Sequence, residues 1–450
     1  MNTSTNDVQV SPDEIRAKFS MALSEMYRAE VPQYGSLVNI VSEINRQQDQ
    51  SASNNTQHRL EVERHGAIRL GTASELQMIR RLFSIMGMHA VGYYDLSVAG
   101  LPVHATCFRP LTSDALAHNP FRVFTSLLRL DLINDHELRL CAERVLSDRK
   151  IFTPRCIQLI EELETLTSVS MAKADELIIE ALETFRWHKT STVGLQTYRR
   201  LQEAHPLIAD VVCFRGPHIN HLTPRVLDIK AAQLEMPKHG LQAKDTIEGP
   251  PSRQFPILLR QTSFLALEED IAFSDGSEKG GRHKARFGEI EQRGIALTPK
   301  GRRLYDDLYS KFIREQDQGP SKEAVLIQTF RDFPDDLHIL RQQQLAYFTY
   351  RVIGKPDPRI CDLDDIDALV ASGILIFEPI TYEDFLPVSA AGIFNSNLGA
   401  DALKASAVSF EDQDAFEKGL GCEVLDSFDL YQRIEETSMQ DCLEILNMCK

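Results

Sequence analysis

The sequence predicts an α+β fold in which a βαβββ order of elements occurs twice. Short apolar runs bounded by glycine and proline indicate strands, and apolar residues three or four apart behind capping signals indicate helices. A charged helical stretch separates the two copies and is interpreted as an insertion. The first strand of each copy carries a His-x-x-x-Arg pattern, at His65–Arg69 and at His221–Arg225. We therefore expect a pair of similar modules.

A helical leader and a polar linker are predicted over residues 1–58. In SPDEIRAKFSMALSEMY, Ser11 is a candidate N-cap, Pro12 suits the first helical position, and Glu14 can complete a capping box. The low apolar content of RQQDQSASNNTQH indicates a flexible linker after this helical region.

The first βαβββ module is predicted over residues 59–132. Its first strand lies in VERHGAIRLG, and Thr72 with Glu75 forms a second capping box at the start of the helix TASELQMIRRLFSIMG. Three strands follow in HAVGYYDLS, LPVHATCF and FRVFTSLLRL. Residues 133–208 are predicted to be a helical insertion, with helices in HELRLCAERVL, CIQLIEELETL and ADELIIEALETF.

The second module is predicted over residues 209–300. Strands are expected in DVVCF, HINHLT, FPILLRQTSFLAL and ARFGEIEQRGIALT, and a helix in VLDIKAAQLEMPKHG. Residues 301–450 are predicted to form an α/β extension, with helices in KGRRLYDDLYSKF and SKEAVLIQTFRDF and strands in LAYFTYRVI and GILIFEPI. Its small-residue turn FLPVSAAGIF is of the kind that exposes backbone N–H groups.

Charge and composition restrict the classes of partner. The 65 acidic and 49 basic residues give a net charge of −16, which disfavours nucleic acid and anionic membrane as partners. The N-terminal residues contain no apolar signal segment, and no stretch approaches the roughly 18 apolar residues of a membrane span. We therefore expect a cytoplasmic protein. The 8 cysteines form no C-x-x-C pair, which argues against a disulfide framework or a cysteine-bound zinc ion.

Two histidines in GPHINHLTPR are candidate metal ligands. Side chains alternate between the two faces of a strand, so His218 and His221 are expected to point to opposite sides. The repeat favours His221, because it is the counterpart of His65 in the first module. A metal ion shared by the modules would then receive one histidine from each first strand. The alternative for each histidine is a hydrogen-bonded structural role.

A carboxylate is expected as the third ligand. RFGEIEQRG presents Glu289 and Glu291 on the same strand face, and strand alternation does not choose between them. Two acids on one buried face are unfavourable without a cation, whereas on an exposed strand they would be solvated. Two histidines and one carboxylate form the ligand set that leaves open positions on Fe(II) for a substrate and O₂.

Arg69 is a candidate substrate-binding residue. It lies four residues beyond His65 on the same strand face, at a distance of roughly 13 Å between Cα atoms. Its long side chain can reach back towards the metal ion and hold the distal carboxylate of a 2-oxo dicarboxylate whose other end binds the metal. The alternative is a structural ion pair.

Ordered sequence blocks along nearly the whole chain carry a further signal. They include VERHGAIRLGT, FRVFTSLLRL, ALETFRWH, HINHLTPR, ILLRQTSF, ARFGEIEQRG, ALTPKGRRLYDDL and ITYEDFLPVSAAGIFNSNLG. Together they resemble the 2-oxoadipate dioxygenase/decarboxylase family, also called D-2-hydroxyglutarate synthase. The resemblance implies a vicinal oxygen chelate fold, in which paired βαβββ modules form a metal-centred sheet.

The resemblance also implies the site residues and the reaction. The family's Fe(II) ligands correspond to His65, His221 and Glu289, and its catalytic, substrate-binding arginine corresponds to Arg69. His65 and the backbone at Val388 correspond to further substrate contacts. The implied reaction converts 2-oxoadipate and O₂ into (R)-2-hydroxyglutarate and CO₂, in lysine catabolism, and the substrate serves as its own co-substrate.

Two other functions are compatible with parts of this pattern. A metal-dependent lyase or isomerase of the glyoxalase type would use the same fold without O₂. A non-catalytic ligand-binding protein would keep the fold but would have no need of open metal positions, so the complete three-ligand set argues against it. Oxygen consumption when substrate is added separates the first alternative from the dioxygenase.

Overall fold

The computed structural model describes residues 8–48, 59–277, 281–354, 365–386 and 410–448. The chain divides into two compact units. The first comprises Met1–Glu248, Gln261–Gln292 and Pro387–Val424, and the second comprises Gly249–Arg260, Arg293–Leu386 and Leu425–Lys450.

The described residues form both helices and strands, as the α+β prediction requires. The α-helices are α1 Pro12–Glu30, α2 Pro32–Gln48, α3 Ala73–Ile85, α4 Ser113–His118, α5 His136–Asp148, α6 Pro154–Leu163, α7 Met171–Phe185, α8 Leu195–Ala204, α9 Pro206–Val212, α10 Ile229–Glu235, α11 Pro299–Glu315, α12 Lys322–Thr329, α13 Leu337–Gln342, α14 Ile366–Ala371, α15 Phe410–Leu420 and α16 Ser427–Met448. The strands are β1 Gln9–Val10, β2 Arg64–Leu70, β3 His89–Asp95, β4 Val103–Arg109, β5 Arg122–Leu128, β6 Val169–Ser170, β7 His221–Pro224, β8 Leu259–Ser263, β9 Glu269–Ile271, β10 Gly281–His283, β11 Glu289–Arg293, β12 Phe348–Val352 and β13 Leu375–Pro379. None of the described helices combines the length and the apolar character needed to cross a membrane.

Two helix starts show what the local capping signals determine. At α1, the Glu14 backbone N–H donates to Ser11 Oγ at 3.2 Å and the Ser11 N–H donates to Glu14 Oε2 at 2.7 Å, so the predicted capping box is confirmed. At α3, Thr72 accepts from the Glu75 N–H at 3.2 Å. The Glu75 carboxylate instead forms an ion pair with Arg149 at 2.6 Å. The second capping box is therefore half formed, because the Glu75 side chain pairs with Arg149 and does not accept from the Thr72 N–H.

A five-stranded sheet forms the centre of the first unit, in the order β3-β4-β5-β2-β7. The predicted βαβββ order of the first module is present in β2, α3, β3, β4 and β5. β2 lies between β5, to which it is parallel, and β7, to which it is antiparallel. Every residue of β4 and β5 is buried, including the polar and charged ones that each strand contains. The sheet thus joins the first strands of the two modules side by side.

An aromatic cluster packs the leader and the insertion onto this sheet. Phe19 of α1 makes edge-to-face contacts with Phe83 of α3, Phe121 before β5 and Phe185 of α7, with ring centroids 6.4, 6.1 and 5.5 Å apart. All four rings are at most 1% exposed. Edge-to-face packing of buried rings adds to the free energy of apolar burial. The insertion therefore belongs to the same core as the sheet that carries the site.

The second module differs from the sequence prediction at its start. DVVCF was predicted to be a strand, but most of it lies at the C-terminal end of α9, so this prediction is wrong. Pro206 occupies the first turn of α9, and the His205 side chain caps it by accepting from the Leu207 N–H at 3.1 Å. A short, fully buried apolar run does not distinguish a strand from a helix. The strand predicted in HINHLT is confirmed only from His221 onwards.

The remaining strands of the second module complete the surroundings of β7. β8 pairs with β11, and β9 pairs with β10. A parallel bridge joins Arg225 to Glu291, and the Val226 N–H donates to the Glu291 carbonyl at 2.7 Å. The middle of β11 therefore lies alongside the residue that follows β7. In the first module β2 runs parallel to β5, and the bridge between the chain after β7 and β11 is also parallel.

In the second unit, β12 and β13 form an antiparallel pair, and the strands predicted in LAYFTYRVI and GILIFEPI are confirmed. Helix α16 covers the free side of β12. The Phe348 N–H donates to Glu435 Oε1 at 2.8 Å, and the Tyr350 N–H donates to Ser438 Oγ at 3.1 Å. These side chains satisfy backbone donors that an exposed edge strand would offer to another chain.

Candidate metal centre

The two repeat histidines are brought together by the pairing of β2 with β7. In this antiparallel register His65 lies opposite Thr223, and Ala67 lies opposite His221. The two imidazole rings are 5.4 Å apart between centroids and are perpendicular. The first strand of each module thus supplies one histidine to a common point, as the repeat predicts.

Glu289, the first residue of β11, completes the cluster. His65, His221 and Glu289 each offer a ligand atom, and these atoms lie within 4.8 Å of one another. His65 Nε2 is 3.1 Å and His221 Nε2 is 3.9 Å from Glu289 Oε1. The three side chains are 1%, 2% and 0% exposed. Among the described residues, these three side chains form the one group of His, Cys, Asp or Glu side chains that are close enough together to hold a metal ion.

Hydrogen bonds orient the Glu289 carboxylate. Its Oε1 accepts from Gln261 Nε2 at 2.7 Å and from Thr223 Oγ1 at 3.2 Å. Its Oε2 is buried and has no hydrogen-bond partner among the described residues, and the same is true of His221 Nδ1. A buried carboxylate oxygen without a partner is unfavourable unless a cation is bound. Two neutral-nitrogen donors and a carboxylate within this distance fit a divalent transition metal.

Glu291, the second acid predicted for the same strand face as Glu289, contacts the His65 ring at the nitrogen that points away from Glu289. Its Oε2 lies 2.8 Å from His65 Nδ1, while His65 Nε2 faces Glu289. Carboxylates in this position fix the ring orientation and the tautomer of metal-binding histidines. Burial acts to lower the pKa of His65, but the charge of Glu291 and the hydrogen bond to Glu289 raise it above the ordinary value.

His221 has the opposite electrostatic surroundings. Burial, and then the positive charges of His65 and Arg69, hold its pKa well below the ordinary range. His221 is therefore neutral near pH 7, which is the form that binds metals. Its ring also packs on Phe287, with centroids 4.6 Å apart.

His218 does not join the three-ligand cluster. Its Nε2 lies 3.3 Å from Asp210 Oδ1 and 3.3 Å from Asn220 Nδ2. The sequence predicted its exclusion from strand alternation, but residues 217–220 are not in a strand. The reason was therefore wrong, and the exclusion comes from the chain path before β7.

Arg69 is placed near the cluster by β2. Its Nη1 lies 2.6 Å from Asp210 Oδ2, and its side chain is 11% exposed. The structure therefore contains the ion pair that was the alternative interpretation of this arginine. Arg69 lies on β2 two residues beyond Ala67, which pairs with His221. Val388, the other expected substrate contact, lies outside the described residues.

Several residues around the cluster were missed from sequence. Thr223 is two residues beyond His221, so strand alternation could have placed it on the ligand face. Gln261 had no comparable signal. Asp210 was hidden because its segment was interpreted as a strand, whereas it lies on α9.

Comparisons with known proteins show which family this chain resembles. The sequence model of the 2-oxoadipate dioxygenase/decarboxylase family matches residues 19–397. A protein from Escherichia coli (strain K12) named 2-oxoadipate dioxygenase/decarboxylase is 53% identical over 444 residues, covering 96% of this chain and 98% of the relative. A protein of the same name from Pseudomonas putida is 50% identical over 463 residues, covering 98% of this chain and 98% of the relative.

A solved structure extends the likeness to the fold. The crystal structure of the hydroxyglutarate synthase from Pseudomonas putida in complex with 2-oxoadipate has a TM-score of 0.88 and 49% identity, and the match covers 98% of this chain and 99% of that one. Together with the helices and strands described above, this likeness confirms the predicted α+β fold class. The match in sequence covers most of the chain, so the chain belongs to the 2-oxoadipate dioxygenase/decarboxylase family of enzymes.

Proposed function

We propose that this protein binds Fe(II) through His65, His221 and Glu289 and converts 2-oxoadipate and O₂ into (R)-2-hydroxyglutarate and CO₂. The observation that carries the proposal is the buried cluster of two histidines and one carboxylate, drawn from both modules. One oxygen of that carboxylate has no hydrogen-bond partner among the residues that the structure describes. Three protein ligands leave positions on the metal for a chelating substrate and for O₂. The family name supports both the substrate and the type of reaction.

The iron ion would supply the oxygen chemistry of the decarboxylation and hydroxylation, and the protein residues would fix its surroundings. Gln261 and Thr223 hold the Glu289 carboxylate, and Glu291 holds the His65 ring. Because these groups are set before substrate binds, little reorganisation is needed during the reaction. The three proposed ligand side chains are nearly inaccessible to solvent, so bulk water is excluded from the site.

Arg69 would bind the distal carboxylate of the substrate. A guanidinium forms a planar, bidentate pair with a carboxylate, so it fixes direction as well as charge. The Pseudomonas putida relative was crystallised with 2-oxoadipate, a dicarboxylate of this kind. If Arg69 holds the distal carboxylate, the substrate has one orientation in the site. That orientation would determine which hydrogen faces the metal on the carbon next to the newly formed carboxylate, and hence the stereochemistry of the product. His65 and the backbone of Val388 are proposed as further substrate contacts.

The cellular setting is proposed on the family resemblance. We place the protein in the cytoplasm, where it would act in the breakdown of lysine. Neither nucleic acid nor membrane is proposed as a partner, since the net charge of −16 disfavours both.

The proposal is tested by anaerobic reconstitution with Fe(II), followed by addition of 2-oxoadipate and then O₂. We expect consumption of one O₂ and release of one CO₂ for each (R)-2-hydroxyglutarate formed, because the atoms of substrate and O₂ are all accounted for in the two products. Chiral chromatography identifies the product, and an oxygen electrode follows the uptake. Turnover of substrate without oxygen uptake would instead indicate a lyase or isomerase.

A further inference from the structure

We propose that Asp210 is a positioning residue that directs the Arg69 guanidinium and thereby sets the preference for a substrate with a second carboxylate. This inference rests on the substrate class proposed above. It concerns a buried chain of side chains, Tyr198–His283–Asp210–Arg69, which is called the Asp210 chain below.

The direct contact is between Arg69 and Asp210. Arg69 Nη1 lies 2.6 Å from Asp210 Oδ2, and the two side chains are 11% and 5% exposed. An arginine side chain has many rotamers, and an unrestrained one would lose that freedom when substrate binds. A short ion pair to a fixed carboxylate orders the guanidinium beforehand. Its several N–H donors lie on different edges, so a bond to Asp210 is compatible with a substrate carboxylate on another edge.

Asp210 is itself held in place by further groups. His283 Nε2 lies 2.9 Å and His218 Nε2 lies 3.3 Å from Asp210 Oδ1. The other nitrogen of His283, Nδ1, is 3.0 Å from the hydroxyl of Tyr198. This arrangement favours the tautomer in which His283 donates to Asp210 and accepts from Tyr198. The backbone of Asp210 is fixed in α9, and that of Tyr198 is fixed in α8.

The surroundings of the Asp210 chain are tightly packed. The Trp187 ring stacks on His283 with centroids 5.9 Å apart and makes an edge contact with His218 at 4.5 Å. The Arg286 guanidinium lies over the Trp187 ring, 5.1 Å from its centroid. Burial acts to raise the pKa of Asp210, but His218 and Arg69 hold it well below the ordinary range, so the carboxylate is ionised.

Two observations distinguish positioning from simple stabilisation. A buried ion pair contributes little net stability, because desolvation of both charges offsets their attraction. Arg69 also lies on β2, two residues beyond Ala67, which pairs with His221. The Asp210 chain therefore ends at an arginine on β2, the strand that also carries His65, where the direction of the guanidinium would affect binding of the proposed substrate.

The test measures binding as well as turnover. Wild type, Asp210→Asn and Arg69→Ala are loaded with Fe(II) without O₂, and the dissociation constants of 2-oxoadipate and of the monocarboxylate 2-oxohexanoate are measured by calorimetry. We expect Asp210→Asn to retain iron and to lose roughly tenfold or more of the preference for the dicarboxylate, since hydrogen bonds to charged groups have about this effect. The affinity for 2-oxohexanoate is expected to change little.

The control is Asp95→Asn, the same change at a buried aspartate on β3. Strand β3 is the edge of the five-stranded sheet opposite to β7. Asp95 is 3% exposed and accepts from the Ser97 N–H at 2.9 Å, so it matches Asp210 in burial but lies outside the Asp210 chain. The Asp95→Asn variant is expected to prefer 2-oxoadipate over 2-oxohexanoate to the same extent as wild type. If Asp210→Asn weakens the binding of both acids by the same factor, Asp210 is structural and the inference is wrong.

A second variant keeps the inference testable if Asp210→Asn does not fold. Tyr198→Phe removes only the hydroxyl at the far end of the Asp210 chain. It is expected to fold and to reduce the dicarboxylate preference by about two- to fivefold, in line with loss of one neutral hydrogen bond. The protein has a single tryptophan, Trp187, so its fluorescence reports directly on packing around His283. An unchanged preference in a folded Tyr198→Phe would overturn the inference.

Binding and turnover separate this inference from the proposed function. If wild type binds 2-oxoadipate in preference to 2-oxohexanoate but consumes no O₂, the proposed reaction fails while the role of Asp210 is still measured. If wild type turns over 2-oxoadipate and Asp210→Asn keeps the full preference, the reaction stands and the role of Asp210 fails.

Discussion

The Nδ1 atom of His65 lies 2.8 Å from the carboxylate of Glu291, on the side of the ring opposite to Glu289. A single imidazole is thus held between two acids of β11, one at the proposed metal position and one behind it. The same strand therefore supplies both a candidate ligand and the group that orients another ligand. This division of roles between Glu289 and Glu291 leads to distinct expectations for the two acids.

Glu291→Gln is expected to weaken metal binding without abolishing it. Loss of a carboxylate behind a metal-binding histidine typically reduces metal affinity by about 10- to 100-fold. Competition between the protein and a chelator for Co(II) or Fe(II) measures the change. The control is Glu268→Gln, at an exposed acid paired with Lys284, which is expected to bind metal as wild type does. Wild-type affinity in Glu291→Gln would show that Glu291 does not support His65.

His65→Ala, His221→Ala and Glu289→Ala are each expected to remove bound iron and activity. Each residue lies on a strand that is paired within a large core, so the fold is expected to survive. Metal analysis and circular dichroism measure the two effects separately. His218→Ala is the matched control, since His218 contacts Asp210 and lies outside the cluster, and it is expected to keep most of its metal. Activity that survives in Glu289→Ala but is lost with the metal in Glu291→Ala would exchange the roles of the two acids.

Arg69→Ala is expected to bind iron but to lose the preference for 2-oxoadipate over 2-oxohexanoate. A desolvated, bidentate pair with a carboxylate contributes about 1.5 to 3 kcal/mol, which the monocarboxylate cannot use. Arg69→Lys is expected to restore only part of the preference, because an ammonium group lacks the planar fork. The measurement is kcat/KM for both acids with all three proteins. If removal of Arg69 leaves the preference unchanged, Arg225 or the turn around Val388 is the candidate for holding the distal carboxylate.

His104 on β4 is expected to make stability depend on pH. Burial, and then the charge of Arg129, lower the pKa of His104 from 6.5 to about 4. Because the folded pKa is below the unfolded one, the unfolded state takes up a proton first as the pH falls. The contribution of neutral His104 to the free energy of unfolding is therefore complete above pH 6.5. It is lost between pH 6.5 and 4, and the loss is about 3 kcal/mol.

Denaturant unfolding of wild type and His104→Gln across this pH range checks the expectation. The His104 ring packs on Phe416 at 4.7 Å between centroids, so the variant is expected to be less stable at pH 7. The difference in stability between the two proteins should shrink as the pH falls to 4. A difference that stays constant would show that His104 has the same pKa in the folded and unfolded states.

Sequence reasoning located the site where a pattern was repeated. His65 and His221 occupy equivalent positions of two modules, and strand alternation placed Glu289 and Glu291 on one face, so these residues could be named before the structure was known. Asp210 could not, because its contacts with Arg69 and His283 join segments that are distant in sequence. Local patterns report which face of an element is buried, whereas tertiary ion pairs depend on how the elements meet.

The errors have physical reasons of the same kind. The buried run DVVCF has no alternation, since all sides of α9 are covered, and so its helix was not distinguishable from a strand. The capping box at Thr72 was half correct, because Glu75 pairs with Arg149 of the insertion. Both cases show tertiary contacts overriding a local signal.

The pairing of β2 with β7 also determines when the site can form during folding. The whole helical insertion lies between these strands in sequence, and Glu289 follows later still. Contacts between such distant segments carry a large loop-closure entropy and form slowly. A growing chain on the ribosome exposes His65 long before its two companions have been synthesised. Binding of the proposed metal ion would therefore be a late event, possible only after β2, β7 and β11 have come together, and the ion would link strands of a fold that is already assembled.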